Sequence, residues 1–193
     1  MKRTIKGEPF AFPTPVFIVA SYNEDMTPNA MNAAWAGASV SNPPCITVSI
    51  QKPRKSYDNI AKTKEFTVNI PNEKYIKEAD YFGMVSGHKT AKFEDTKLTA
   101  VKAEYVNAPY IEEFPINIEC RVKQITEIGT HFIIIGEILN VIANEECFNE
   151  NGKVTLENSG AVVYDPISRK YHKVSDTIGK AFSIGKEFIN NSK

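Results

Sequence analysis

Apolar residues in this chain alternate with polar ones more often than they recur at helical spacing. Between residues 116 and 123, Ile116, Ile118, Cys120 and Val122 fall on one parity, and Asn117, Glu119, Arg121 and Lys123 on the other. Successive side chains of a strand point to opposite faces, so this stretch predicts a half-buried antiparallel strand. Residues 131–142, HFIIIGEILNVI, are apolar at both parities and predict a strand buried from two sides. Residues 14–22 are β-branched and aromatic and run into the turn-rich NEDMTPN, a hairpin signal. CITVSI, entered through Pro43-Pro44, and EFTVNIP, closed by Pro71, predict two further short strands. GAVVYDPISRKYHKV predicts two more around an Asp165-Pro166 turn.

Helical spacing is rarer. Ser56 followed by Asp58 predicts a short helix to about Lys62. Tyr75, Ala79, Phe82 and Val85 form one stripe of a second helix. Residues 175–189 predict a C-terminal amphipathic helix with Ile178, Phe182, Ile184 and Ile189 facing together, although Gly179 and Gly185 each cost it ~1 kcal/mol. Many short strands, tight turns and few helices predict a mostly β protein with peripheral α elements, built as an antiparallel barrel. No Pro/Gly/Ser-rich linker divides the chain, which predicts one domain over residues 1–193 with a C-terminal helical extension.

Composition narrows the function classes. Lys plus Arg and Asp plus Glu both total 23 in 193 residues, so any basic site is local and a nucleic-acid footprint over the surface is not expected. The three cysteines, Cys45, Cys120 and Cys147, are odd in number and lack metal-ligand spacing. Cys45 and Cys120 lie in strand patterns and read as buried reduced thiols. No charged-then-apolar leader begins the chain, and no apolar run approaches the ~20 residues that span a bilayer. A cytoplasmic domain without membrane segments is the expectation.

Local chemistry concentrates in two places. After the strand CITVSI, Lys52, Arg54 and Lys55 precede the helix signal at Ser56. The first turn of a helix has N–H groups without intrahelical partners and the positive end of the macrodipole, so such a corner suits a phosphate. Arg54 can grip two oxygens, Lys52 or Lys55 adds charge, and Ser56 caps or donates. The alternative is a solvated cationic turn in which Asp58 complements the helix dipole. Just before it, seven of the ten residues 30–39 are Ala, Gly or Ser. In extended form they present nearly bare backbone, where a flat heterocycle with hydrogen-bonding edges can lie. The alternative there is tight packing against a helix or a second subunit.

Pro15-Val16, NAMNAAW, SVSNPPCITVSI, KSYDNI, EFTVNIP, SGHKTAKFE, INIECRV and GTHFIIIGEI follow one another in an order that resembles the flavin reductase-like family, in particular its flavoredoxin branch. The resemblance covers residues 13–185. It implies a six-stranded split β-barrel homodimer holding FMN noncovalently near the subunit interface, with FAD also admissible. By the same resemblance Asn32, Trp35, Ala36, Gly37, Ser39, Val40 and Ser41 line the isoalloxazine ring. Ile50, Gln51, Lys52, Arg54, Lys55, Ser56 and Tyr57 hold the ribityl chain and phosphate. Ser86, Gly87, Lys92 and Phe93 belong to a segment that closes over the flavin. His131 matches a histidine placed near the nicotinamide and is the candidate catalytic residue, but Thr130 stands where many relatives have Asp.

The implied activity is electron transfer from NAD(P)H to flavin, or a carrier role between redox protein partners. Flavin N5 accepts hydride, so no protein nucleophile is required. No GxSxG elbow, GxGxxG fingerprint or Cys/His metal cluster competes with that reading. Two other classes are a nucleic-acid-binding barrel using Lys52, Lys55, Tyr57 and Trp35, and a barrel without cofactor that serves as an interaction module.

Overall fold

The period-two runs form strands. The computed structural model describes residues 1–9, 11–174 and 176–190. Its strands are β1 (Thr14–Pro15), β2 (Phe17–Tyr22), β3 (Pro28–Ala33), β4 (Ala36–Ser41), β5 (Pro44–Gln51), β6 (Glu65–Ile70), β7 (Ala100–Lys102), β8 (Pro109–Ile111), β9 (Ile116–Ile128), β10 (His131–Ala143), β11 (Val162–Asp165) and β12 (Lys170–Lys173). The helices are α1 (Lys55–Thr63), α2 (Ile76–Met84), α3 (Lys92–Thr96), α4 (Leu156–Ser159) and α5 (Lys186–Asn190).

Seven strands make one antiparallel sheet in the order β3-β2-β6-β9-β10-β5-β4. β3 and β4 are its two edges, yet only Ala34 and Trp35 separate them in the chain. Neighbouring strands stand about 4.8 Å apart, so a two-residue link cannot cross a flat sheet of this width. The sheet must curl until its edges meet at Ala34–Trp35, which makes it a barrel with a seam. Residues 30–39, read from sequence as one extended ribbon, break there into two strands, so the sheet has seven strands where the resemblance implies six.

Val19, Met31, Val48, Ile50, Phe66, Val68, Ile118, Cys120 and Ile134 fill the barrel interior. The alternate residues of β2, Ile18 and Ala20, face outward into a second core with Ala79 and Phe82 of α2, Phe93 of α3 and Phe114. β11 pairs with β1 and β12, which carries the C-terminal hairpin back over the start of the chain.

Three expectations change. The polar face of β9 is wet only beyond residue 120. Asn117 and Glu119 are buried beneath the excursion that contains β7 and β8. Glu119 accepts from the Tyr105 N–H at 2.6 Å and from Asn140 at 3.0 Å, so its carboxyl anchors that excursion. β10 is fully buried at Ile134 and Gly136, while most of its other residues are half-buried, so its second face is incompletely covered by this chain. The C-terminal helix shrinks to α5, because residues 181–185 form turns and Ile178 and Phe182 find no body surface to pack on. Residue 175, where that helix was expected to begin, lies outside the described residues.

All three cysteines are buried and free, and burial pushes the Cys120 thiol far above its usual range. Among the described residues no helix is long and apolar enough to cross a membrane, and no group of His, Cys, Asp or Glu is arranged to hold a metal ion.

Candidate functional site

The barrel seam opens a cavity of about 230 Å³ between residues 31–35, Ser49 and Gln51 of β5, Arg54, His131 and Tyr164. A second cavity of about 150 Å³ adjoins it and shares Asn32, Ala34 and Tyr164, adding Gly83 and Tyr171. Together they form one groove whose floor is nearly bare backbone. The floor exists because Ala33, Ala34, Ala36 and Gly37 carry almost no side chain. A Cβ on Gly37 would meet nothing within 4 Å, so the space above it is open. The Trp35 carbonyl accepts from the Ser49 N–H at 2.8 Å, which locks the seam to β5.

Each wall comes from a distant part of the sequence. Asn32 donates to the Ala79 carbonyl at 3.0 Å, tying the seam to α2. Tyr171 donates to Asp80 Oδ1 at 2.7 Å, and its ring lies 5.3 Å from that of Tyr164, so the C-terminal hairpin closes the groove against the same helix. Burial, together with Asp80, holds the Tyr171 phenol well above its ordinary pKa, so it stays a proton donor. His131 opens β10 opposite Gln51, and its Nδ1 shares a 2.9 Å hydrogen bond with Thr130 Oγ1.

The cationic corner lies at one end of this groove. Arg54 donates only a long 3.4 Å hydrogen bond to the Gly83 carbonyl. Lys92 is buried, with its ammonium donating to the carbonyls of Ala30 (2.7 Å) and Phe82 (3.0 Å). Burial, and secondly the neighbouring Arg54 charge, lowers its pKa to about 8. Among the described residues neither cation has a carboxylate within ion-pair distance. Arg54 borders the groove and the buried Lys92 charge lies close to it, so the potential there is positive. Asp58, the residue that could have opposed one, points away and sits 3.7 Å from His88 Nε2.

The structure sorts the sequence candidates into groups. Asn32, Trp35, Gln51, Arg54 and His131 line the groove, with Ala36 and Gly37 continuing its floor. Ser39, Val40 and Ser41 lie beyond it on the exposed stretch of edge strand β4. Ile50 and Phe93 direct their side chains into the two cores. Ser56 is not the helix cap. It is buried inside α1 and accepts from Asn29 at 2.9 Å, while Arg54 occupies the cap position. Lys52 pairs with Glu127, and Tyr57 stacks on Phe132 at 3.6 Å. Lys55 borders clefts beside the β2–β3 hairpin. Ser86 accepts from the His88 N–H, and Gly87 packs so tightly that a Cβ would lie 2.0 Å from Asn29 Oδ1.

Sequence reasoning missed Ser49, Tyr164 and Tyr171 as wall residues. The two tyrosines lie in the GAVVYDPISRKYHKV strand pair, and no local pattern places residue 164 beside residue 32. The pairing of β11 with β1 does so.

Comparison with known proteins agrees with this fold. The model of the flavin reductase like domain matches residues 10–170. A flavoredoxin of Desulfovibrio vulgaris (Miyazaki F) superposes with a TM-score of 0.92 at 40% identity, covering 96% of this chain and 100% of that one. A flavoredoxin from Methanosarcina acetivorans gives 0.88 at 29% identity, covering 97% and 100%. The reductase component of a flavin-dependent trigonelline monooxygenase from Acinetobacter baylyi is 32% identical over 131 residues, 67% of this chain and 40% of that protein.

Proposed function

Because this chain belongs to the flavin reductase-like family, we propose that it binds FMN in the seam groove and acts as an oxidoreductase moving electrons from NAD(P)H through the flavin. One observation carries the reading. Arg54 lines a bare-backbone groove without a carboxylate partner among the described residues, and the buried Lys92 ammonium adds positive charge close behind it, a match for a flat ring with an anionic tail. FMN, when bound, supplies hydride acceptance and electron delivery in ones or pairs.

The chain's own residues bind and orient. Backbone groups of residues 32–37 read the ring edge, and Gln51 and Ser49 flank it. Arg54, backed by Lys92, holds the phosphate. Tyr164 and Tyr171 wall off water on one side, and His131 stands at the rim where a nicotinamide approaches. FAD carries the same ring and an anionic diphosphate, and the same donors would meet both. Buried, unpaired thiols suit a reducing cytoplasm.

The test is release and identification of the flavin from purified protein. FMN is expected, and a colourless protein that fails to take up added FMN overturns the reading. A second reading, a carrier served by a redox protein partner, draws on the two flavoredoxin matches and on Thr130 beside His131. Bleaching of the bound flavin by NADH or NADPH favours the enzyme, and bleaching only by a reductase or dithionite favours the carrier. We also place the protein in a homodimer. β4 leaves one edge unpaired and exposed among the described residues, and β10 keeps a half-covered apolar face, both of which a second copy can cover.

A further inference from the structure

We infer that Asn32 reads the imide N–H of the bound ring, and that Tyr171 and Asp80 are positioning residues that set its amide for that task. The inference rests on the flavin reading above and deepens it, by naming the edge of the ring that the groove selects. Asn32 lies where the two cavities meet and lines both. Its Nδ2 donates to the Ala79 carbonyl at 3.0 Å. A carbonyl oxygen only accepts, so this contact fixes which end of the amide faces α2. A Cβ on Gly83 would stand 3.3 Å from Asn32 Cβ, so glycine there lets the helix come this close to β3. Tyr171 donates its single O–H to Asp80 Oδ1 at 2.7 Å, which leaves its oxygen free to accept. Burial and Asp80 raise the Tyr171 pKa, and the Asn32 amide, acting as a donor toward the same hydroxyl, pulls against them. Both amide protons of Asn32 are therefore directed at protein groups, and its Oδ1 accepts from none among the described residues. That oxygen is not sealed inside the protein, so it opens onto the groove.

An acceptor held in one orientation is selective. The edge of an oxidised isoalloxazine carries ring nitrogens and carbonyl oxygens that only accept, and a single N–H donor, the imide. Only the imide can bond to Asn32 Oδ1, since every other polar edge atom would meet it lone pair against lone pair. The resulting chain runs in one direction, from the imide N–H to Asn32, from Asn32 to the Tyr171 hydroxyl, and from that hydroxyl to Asp80. Hydrogen bonds aligned in this way polarise one another, so the Asp80 carboxyl strengthens an acceptor that it does not touch. The Tyr171 ring alone is enough to wall the groove. Its hydroxyl gives the chain this direction.

The test compares oxidised FMN with its imide-N-methyl derivative, which lacks the imide proton and keeps the ring and the phosphate. Fluorescence titration of the unsubstituted chain is expected to favour FMN by about tenfold or more. Asn32→Ala removes the acceptor and leaves room for the methyl group, and is expected to bring the two affinities within about twofold. Tyr171→Phe keeps the aromatic wall and Asp80→Asn keeps the shape of its partner, and each is expected to lower the preference roughly threefold. A wall acts on both ligands alike, so lost packing alone leaves the ratio unchanged. A preference retained in Asn32→Ala overturns the role of Asn32, and a ratio unmoved by Tyr171→Phe overturns the positioning chain. FMN isotopically labelled at the imide nitrogen supplies a readout that needs no substitution of Asn32. Its imide proton is expected downfield and slow to exchange in the unsubstituted chain, and further upfield in Tyr171→Phe, and the same resonance position in both overturns the inference. A chain that binds the two ligands equally overturns this inference alone, whereas one that binds neither overturns the flavin reading with it.

Discussion

Lys92 sits in a low-dielectric pocket between the carbonyls of Ala30 and Phe82, next to Arg54, and its pKa falls from 10.5 to about 8. The folded chain therefore holds this proton less tightly than the unfolded chain, and this group adds stability as pH rises from about 8 toward 10.5. For a phosphate the sign is opposite. An anion beside the ammonium pulls the pKa back up, so above pH 8 binding must take up a proton and weakens with each unit. FMN affinity is expected to be flat between about pH 6 and 8, since a phosphate monoester keeps its second charge above pH ~6, and to fall above 8. Riboflavin titrated in parallel is expected to show no such fall, and identical profiles for the two ligands would contradict the placement. Arg54→Ala tests the same corner. A charge-assisted hydrogen bond contributes about 1.5–3 kcal/mol, so FMN is expected to weaken by roughly tenfold or more while riboflavin barely changes. Equal losses by equilibrium fluorescence titration would move the cationic turn away from the tail.

At the scale of elements, β10 shows what its sequence conveyed and what it hid. The run HFIIIGEILNVI announced a strand, but Gly136 inside it has a reason that only the packed barrel reveals. A Cβ there would stand 2.5 Å from Phe66 Cζ and 3.2 Å from Cys120 Cβ, and the register with β9 shifts between Ile135 and Gly136. Phe66 is fully buried and cannot step aside. Gly136→Ala is therefore expected to destabilise the fold by about 1–3 kcal/mol in urea unfolding, whereas a β-propensity argument alone predicts a gain. A midpoint unchanged or raised would mean that Phe66 repacks freely. β9 fails in a related way. Its alternation was legible, but burial of its polar parity was not, because Glu119 is satisfied by Tyr105 and Asn140, neither of which a period-two pattern can anticipate. The C-terminal helix failed for the opposite reason, since apolar spacing without a surface to bury it leaves turns and only the short α5.

Across the whole molecule, the small residues 30–39 and Arg54 stood out because each belongs to a contiguous pattern. The seam that breaks the ribbon did not, nor did Lys92 beside Arg54, while Lys52 turns to Glu127 and Lys55 to other clefts. The far wall did not either, since Tyr164 reaches Asn32 only through the pairing of β11 with β1 and the bond from Tyr171 to Asp80. That architecture makes the groove a clamp between the two ends of the chain, and a ligand in it should stabilise both. FMN present at a hundred times its dissociation constant adds about 2.7 kcal/mol to the folded state. Amides that exchange by opening the groove should then slow by roughly a hundredfold. Hydrogen exchange is expected to show this slowing on β3 and, equally, on β11 and β12. Tyr171→Phe removes the bond that fastens the hairpin to α2, and should reduce the slowing on β11 and β12 while leaving that on β3 in place. If β11 and β12 exchange at the same rate with and without FMN, the C-terminal hairpin is no wall of the site, and the ligand is held by the seam and the cationic corner alone.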